Sequence, residues 1–237
     1  MQASTPVAAG SDVRYESLRR NTLIATPLTL LVPVAFAVVL SMLGADLKWS
    51  TLGFGALGWF GALLLRAPLA AVLTQVLGDP ERVKPWIISS SGPFEEIVRV
   101  LLLVLVGRSF SDAAAVGIGW AAIEVLYTTL TGFITLSLVR RTDPEAMQAR
   151  QILEAQGMIK ETGPWLGIIE RIAATALHIG FTFIVAWSLV TAIATAIVHS
   201  ATNLTMVRMF KERPVMTEFL LLAFGLAIFV LGIVLVR

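Results

Sequence analysis

The chain contains no cysteine in its 237 residues. Disulfides, thiolate zinc sites and a cysteine nucleophile are therefore excluded, and nothing follows about redox compartment. Charge is also scarce: Asp, Glu, Lys and Arg make up 14% of residues, against about a quarter in a soluble domain. The net charge is only +2, which leaves no basic field for DNA or RNA, so no nucleic-acid partner is expected. What fills the space is apolar, with 57% hydrophobic residues and a mean hydropathy of +0.82. A soluble globule and a disordered chain are excluded; an integral membrane protein surrounded by lipid remains. No cleavable signal peptide is expected, because the first 22 residues are polar and the apolar run behind them is long enough to span.

A membrane helix needs about 20 mostly apolar residues. Seven runs qualify, at about 23–43, 52–77, 93–110, 112–138, 165–186, 188–208 and 215–236. The expected fold is an all-α, polytopic helix bundle of about seven transmembrane helices around a polar cavity. Residues 1–22 form a cytoplasmic tail and 23–237 a single transmembrane domain. The boundary between the fifth and sixth runs is the least marked, with only Ala186 to Val190 for a turn. The long polar connection, 139–164, reads as a short interfacial helix plus loop. Ser89 to Gly92 reads as a helix N-cap.

Basic residues in the connections set orientation. Twelve fall on one side: Arg14, Arg19, Arg20, Arg82, Lys84, Arg140, Arg141, Arg150, Lys160, Arg208, Lys211 and Arg213. Three fall on the other: Lys48, Arg108 and Arg237. The expectation is a multi-pass cell-membrane protein with a cytoplasmic N-terminus and an outside C-terminus.

Ionisable residues inside spans cost about 2.5–3.5 kcal/mol each and default to functional hypotheses. The second run holds Arg66; the third holds Glu95, Glu96 and Arg99; the fourth holds Glu124. The fifth holds Glu170, Arg171 and His178, and the sixth His199 and Asn203. Both histidines of the chain are in spans. Helical spacing puts Glu95 and Glu96 within reach of Arg99, and aligns His199 with Asn203. The third to sixth spans can thus wrap one polar cavity. The arginines read as counter-ions. Glu124 reads as an ion-pair partner, of Arg66 or Arg99, and Glu170 as a half-exposed partner of Arg171.

The missing motifs narrow the chemistry. There is no HExxH helix, no Asp within a span for an aspartyl dyad, and no serine in a nucleophile-like glycine context. Carboxylate and imidazole remain. A buried Glu can act as general base on water, and a His with an Asn can donate hydrogen bonds to a developing oxyanion.

Five segments in order then resemble the superfamily of type II CAAX prenyl proteases and bacteriocin-processing enzymes, and within it the YhfC-type membrane peptidases. They are FGALLLRAPL, GPFEEIVRV, GIGWAAIE, IIERIAATALHIGFT and IVHSATN, which together cover about 52–204. The resemblance implies an intramembrane peptidase acting on a membrane-embedded or membrane-associated peptide. It implies Glu95 as the base that activates water, assisted by His178, with Glu96 or Arg99 orienting it and His199 and Asn203 forming the oxyanion site. Arg99 stands one residue earlier than in the CAAX pattern, and Ala174 replaces an aromatic. Such enzymes have been described as metalloproteases and as glutamate proteases. The metal-free form is the expectation, since Arg99 would repel a divalent ion near the Glu pair. Zn is the possible cofactor, with Glu95, Glu96, His178 and His199 as its ligands. The competing readings are a proton- or cation-coupled transporter and a catalytically silent scaffold; a transporter would show paired repeats or broken helices, and neither is visible.

Overall fold

The computed structural model describes residues 7–141, 143–155 and 163–237. These form eight helices and no strand among the described residues: α1 (Val7–Met42), α2 (Trp49–Leu77), α3 (Pro80–Val106), α4 (Phe110–Arg140), α5 (Pro144–Ala155), α6 (Pro164–Trp187), α7 (Ala192–Glu212) and α8 (Pro214–Val236). The protein is an all-α helical membrane bundle. Six helices are long and apolar enough to cross a membrane: α1 from Tyr15, α2, α4, α6, α7 with its preceding turn, and α8. The seventh long helix, α3, carries Glu95, Glu96 and Arg99 in its apolar half, which is why its composition falls short. Its opposite face is lipid-like all the same, with Ile97, Leu101, Val104 and Leu105 exposed.

Helix ends differ from the sequence expectation where polar residues continue a helix. The helix α1 runs back through the expected tail to Val7. Ser89 to Gly92 is no cap but lies inside α3, which starts at Pro80. Asp79 caps it, its side chain accepting from the Glu81 amide at 3.0 Å. The connection to α2 is therefore Gly78 and Asp79 alone. Gly78 takes a left-handed φ of 65° and its N–H returns to the Thr74 carbonyl, a conformation that favours glycine. Between α6 and α7 the break falls at Ser188, followed by a 3₁₀ turn over Leu189–Thr191. The expected short helix in 139–164 is α5, with Arg141 paired to Asp143 at 2.8 Å ahead of it. Lys160 and Glu161 of that connection lie outside the described residues.

Six helices close a ring in the order α6, α4, α2, α3, α7, α8, and α1 packs outside it against α4 and α6. The helix α6 is the most enclosed, with 67% of its apolar window buried against 11–22% for the other five spans. Small residues permit this. A Cβ on Gly180 of α6 would stand 2.7 Å from the Ile228 carbonyl carbon of α8, so the two backbones touch. Similarly, a Cβ on Gly92 of α3 would strike the Ala196 carbonyl and Ser200 hydroxyl of α7. One end of the bundle is filled by an apolar cluster that includes Leu40, Leu103, Ala113, Ile179, Phe183 and Phe229. The other end, where the basic connections lie, is hollow.

Candidate active site

A cavity of about 440 Å³ lies inside the ring, and all six ring helices contribute to its wall. Glu95 of α3 lines it and is 4% exposed. Its Oε2 lies 3.8 Å from His178 Nδ1 of α6 and 3.8 Å from His199 Nε2 of α7. Its Oε1 lies 3.7 Å from the Arg66 guanidinium of α2. These separations are too long for direct hydrogen bonds and short enough for one atom to bridge them.

The far nitrogen of each imidazole meets a second carboxylate. His178 Nε2 is 2.6 Å from Glu124 Oε2, and His199 Nδ1 is 3.6 Å from Glu96 Oε1. A hydrogen on His178 Nε2 directed at Glu124 leaves the Nδ1 lone pair facing Glu95. Glu124 is itself held by Arg171 Nη1 at 3.0 Å, and Arg171 also pairs with Glu170.

Glu96 occupies a different place from its neighbour. One residue along a helix turns the side chain about 100°, and Glu96 faces away from the open cavity. Its Oε2 accepts from Arg99 Nε at 3.1 Å and from the Thr195 hydroxyl at 3.1 Å. Arg99 is completely buried. Its Nη1 donates to the His178 carbonyl at 2.9 Å and to the Thr182 hydroxyl at 2.5 Å, and its guanidinium lies 4.5 Å over the Trp120 ring. The expected contact of Arg99 with Glu95 is not formed, because Arg99 points between α4 and α6; Arg66 faces Glu95 instead. Glu124 pairs with Arg171 and His178, not with Arg66 or Arg99. The expected Glu170–Arg171 pair is present.

Asn203, one turn from His199, lines the same cavity and donates to the Ser91 hydroxyl at 2.8 Å. Glu95, His178, His199 and Asn203 are thus brought to one chamber, with Glu96 immediately behind it. Ser91 belongs to the stretch expected as a helix cap and lines the cavity instead. Thr195 looks in sequence like an ordinary helix hydroxyl. Glu218 lies at the start of the expected span 215–236, just ahead of its charge-free run.

The donor set is also that of a metal site. Glu95, His178 and His199 each offer one ligand atom, all within 4.8 Å of one another. Among the described residues, Glu95 Oε2 and His178 Nδ1 have no hydrogen-bond partner, so the residues fit a zinc ion in the manner of a two-imidazole, one-carboxylate catalytic site. Glu124 on the far nitrogen of His178 matches the outer partner that orients such histidines. Glu96, expected as a fourth ligand, is committed to Arg99 and Thr195. Comparison of the chain with protein-family models, with curated proteins and with solved structures finds no match.

Proposed function

We propose that this protein is an intramembrane peptidase that hydrolyses a peptide bond of a membrane-embedded substrate, with Glu95 as the base that activates water. The observation that carries the reading is the meeting of one carboxylate oxygen with two imidazole nitrogens, each 3.8 Å away. A water bridging Glu95 and His178 gives up a proton to Glu95 as its oxygen attacks the carbonyl carbon. Glu124 fixes the tautomer of His178. Arg66 offsets the charge on Glu95. Asn203 and a protonated His199 donate to the oxyanion, and the collapse of the tetrahedral intermediate returns the proton from Glu95 to the leaving amine. The apolar cluster across the far end of the bundle favours hydrolysis over transport, since alternating access needs a path to both sides. The protein is placed in the cell membrane, with the hollow end and the N-terminus at the cytoplasmic face and the C-terminus outside.

A metallopeptidase is the second reading, favoured by the carboxylate of Glu124 behind His178. Glu95, His178 and His199 would hold the zinc. Bound there, it would supply Lewis-acid activation of water. The test is cleavage of a membrane peptide by purified protein, with metal content measured in parallel. Glu95→Gln is expected to abolish cleavage; full activity in that variant overturns the peptidase reading. Stoichiometric zinc, removed by chelator together with activity, would establish the metallo form.

A further inference from the structure

A second cavity, of about 730 Å³, adjoins the first at the hollow end of the bundle. The two share Tyr127, Thr128, Glu170, Met206, Val207 and Leu221 in their walls, so they lie side by side. The outer chamber lies between the start of α1, the end of α4, the start of α6, the end of α7 and the start of α8. Its wall is largely apolar, and one group in it is out of keeping. Glu218 is 3% exposed, and among the described residues its Oε2 has no hydrogen-bond partner. Glu170, the other carboxylate of the chamber, is held by Arg171. Lys211 also lines the chamber but is exposed at its rim.

A buried carboxylate oxygen without a partner is costly, and one facing a solvent-sized chamber can be satisfied by a cation that enters it. We propose that Glu218 binds a basic side chain, Lys or Arg, of the peptide substrate. This rests on the peptidase reading of the inner chamber. The chamber lies at the end of the bundle where this chain's own basic connections cluster. Membrane segments generally carry Lys and Arg at that same face, so an apolar substrate helix would present its basic flank here. The spacing sets a register. Glu170 shares the outer chamber with Glu218, and His178 lies eight residues further along α6, about 12 Å of helix rise. An extended chain covers that distance in about three or four residues. The basic residue therefore sits about three or four positions from the bond that is cut, on the cytoplasmic flank of the apolar segment.

Binding is measured with the Glu95→Gln chain in phosphatidylcholine nanodiscs, using fluorescent peptides of about 20 apolar residues that end in lysine, acetyl-lysine or norleucine. The lysine peptide is expected to bind at least about tenfold more tightly than the neutral two, the scale of a charge-assisted hydrogen bond. Glu218→Gln is expected to erase the difference. A membrane-permeant carbodiimide, which couples an amine to a carboxylate it touches, is expected to join the lysine to Glu218 in the chain with Glu218 intact. No preference for lysine, a preference that survives Glu218→Gln, or coupling at Glu170 alone overturns the proposal. So does loss of the preference when phosphatidylethanolamine is added, which would assign the site to a lipid ammonium. Lysine preference and coupling without cleavage by the Glu95 chain would leave the cation site standing and remove the peptidase reading; cleavage without preference does the reverse.

Discussion

Replace Arg99 with methionine and the interior of the bundle holds a carboxylate without its counter-ion. Arg99 and Glu96 are both essentially unexposed and 3.1 Å apart. Breaking such a buried pair from one side costs about 3–5 kcal/mol. The other two bonds of Arg99 add little, because Thr182 donates to the His178 carbonyl at 2.7 Å and each acceptor keeps that partner; about 1 kcal/mol covers them. Arg99→Met is therefore expected to lose about 4–6 kcal/mol. Glu96→Gln leaves Arg99 its bonds to His178 and Thr182, and is expected near the lower end, about 3 kcal/mol. The double variant buries neither charge, so its loss should not exceed that of Arg99→Met alone. The assay is denaturation of purified protein in mixed micelles, read as a double-mutant cycle. Losses that add to within about 0.5 kcal/mol would refute the pairing. The same variants separate the two glutamates. Glu96 is tied to Arg99 and Thr195 behind the chamber, so Glu96→Gln should retain measurable cleavage where Glu95→Gln has none. Equal loss in both would undo the assignment of Glu95 as sole base.

Glu124→Leu removes the acceptor 2.6 Å from His178 Nε2 and should lower cleavage by about 10–100-fold with the fold intact by circular dichroism; unchanged turnover would deny Glu124 any part in orienting His178. Gly180→Leu forces a side chain between the touching backbones of α6 and α8 and should cost roughly 1–3 kcal/mol or more in the same micelle titration, whereas Gly61→Ala, where a Cβ meets nothing within 4 Å, should be near neutral. A reporter fused after Arg237 should read as outside and one inserted near Ala155 as cytoplasmic; reversal at both positions would overturn the orientation.

Spans were legible because the physical cause is crude: long apolar runs have few other uses. Helix starts were less so. The segment from Pro80 to Gly92 is polar enough to read as loop, yet Asp79 caps it and Pro80 suits the first turn, so it is helix throughout. The convergence of Glu95, His178, His199 and Asn203 followed from helical spacing and the cost of burying polar groups in lipid. The partners did not. Two adjacent glutamates look alike in sequence, and only the rotation of α3 decides that Arg66 faces one and Arg99 the other. Glu124 gave no sign of its pairing with His178, because that contact depends on how α4 sits against α6. Glu218 lies at the start of the expected span 215–236, where a carboxylate usually reaches the membrane surface, and its burial is visible only in the folded bundle.

The short connection at Gly78 and Asp79 has a consequence for how the chain enters its membrane. Alone, α3 would bring Glu95, Glu96 and Arg99 into the bilayer, at about 2.5–3.5 kcal/mol for each. Joined to α2 by two residues, it meets Arg66 as soon as both helices have been made. The apolar parts of the α2–α3 hairpin then hold two acids and two bases, matched as Arg66 with Glu95 and Arg99 with Glu96, while Asp79, Glu81, Arg82 and Lys84 stay at its polar end. It is electrically self-contained, and can partition from the translocation machinery into lipid as one neutral unit, long before His199 is synthesised. The charges that serve the chamber in the finished bundle thus also act as each other's escort during biosynthesis.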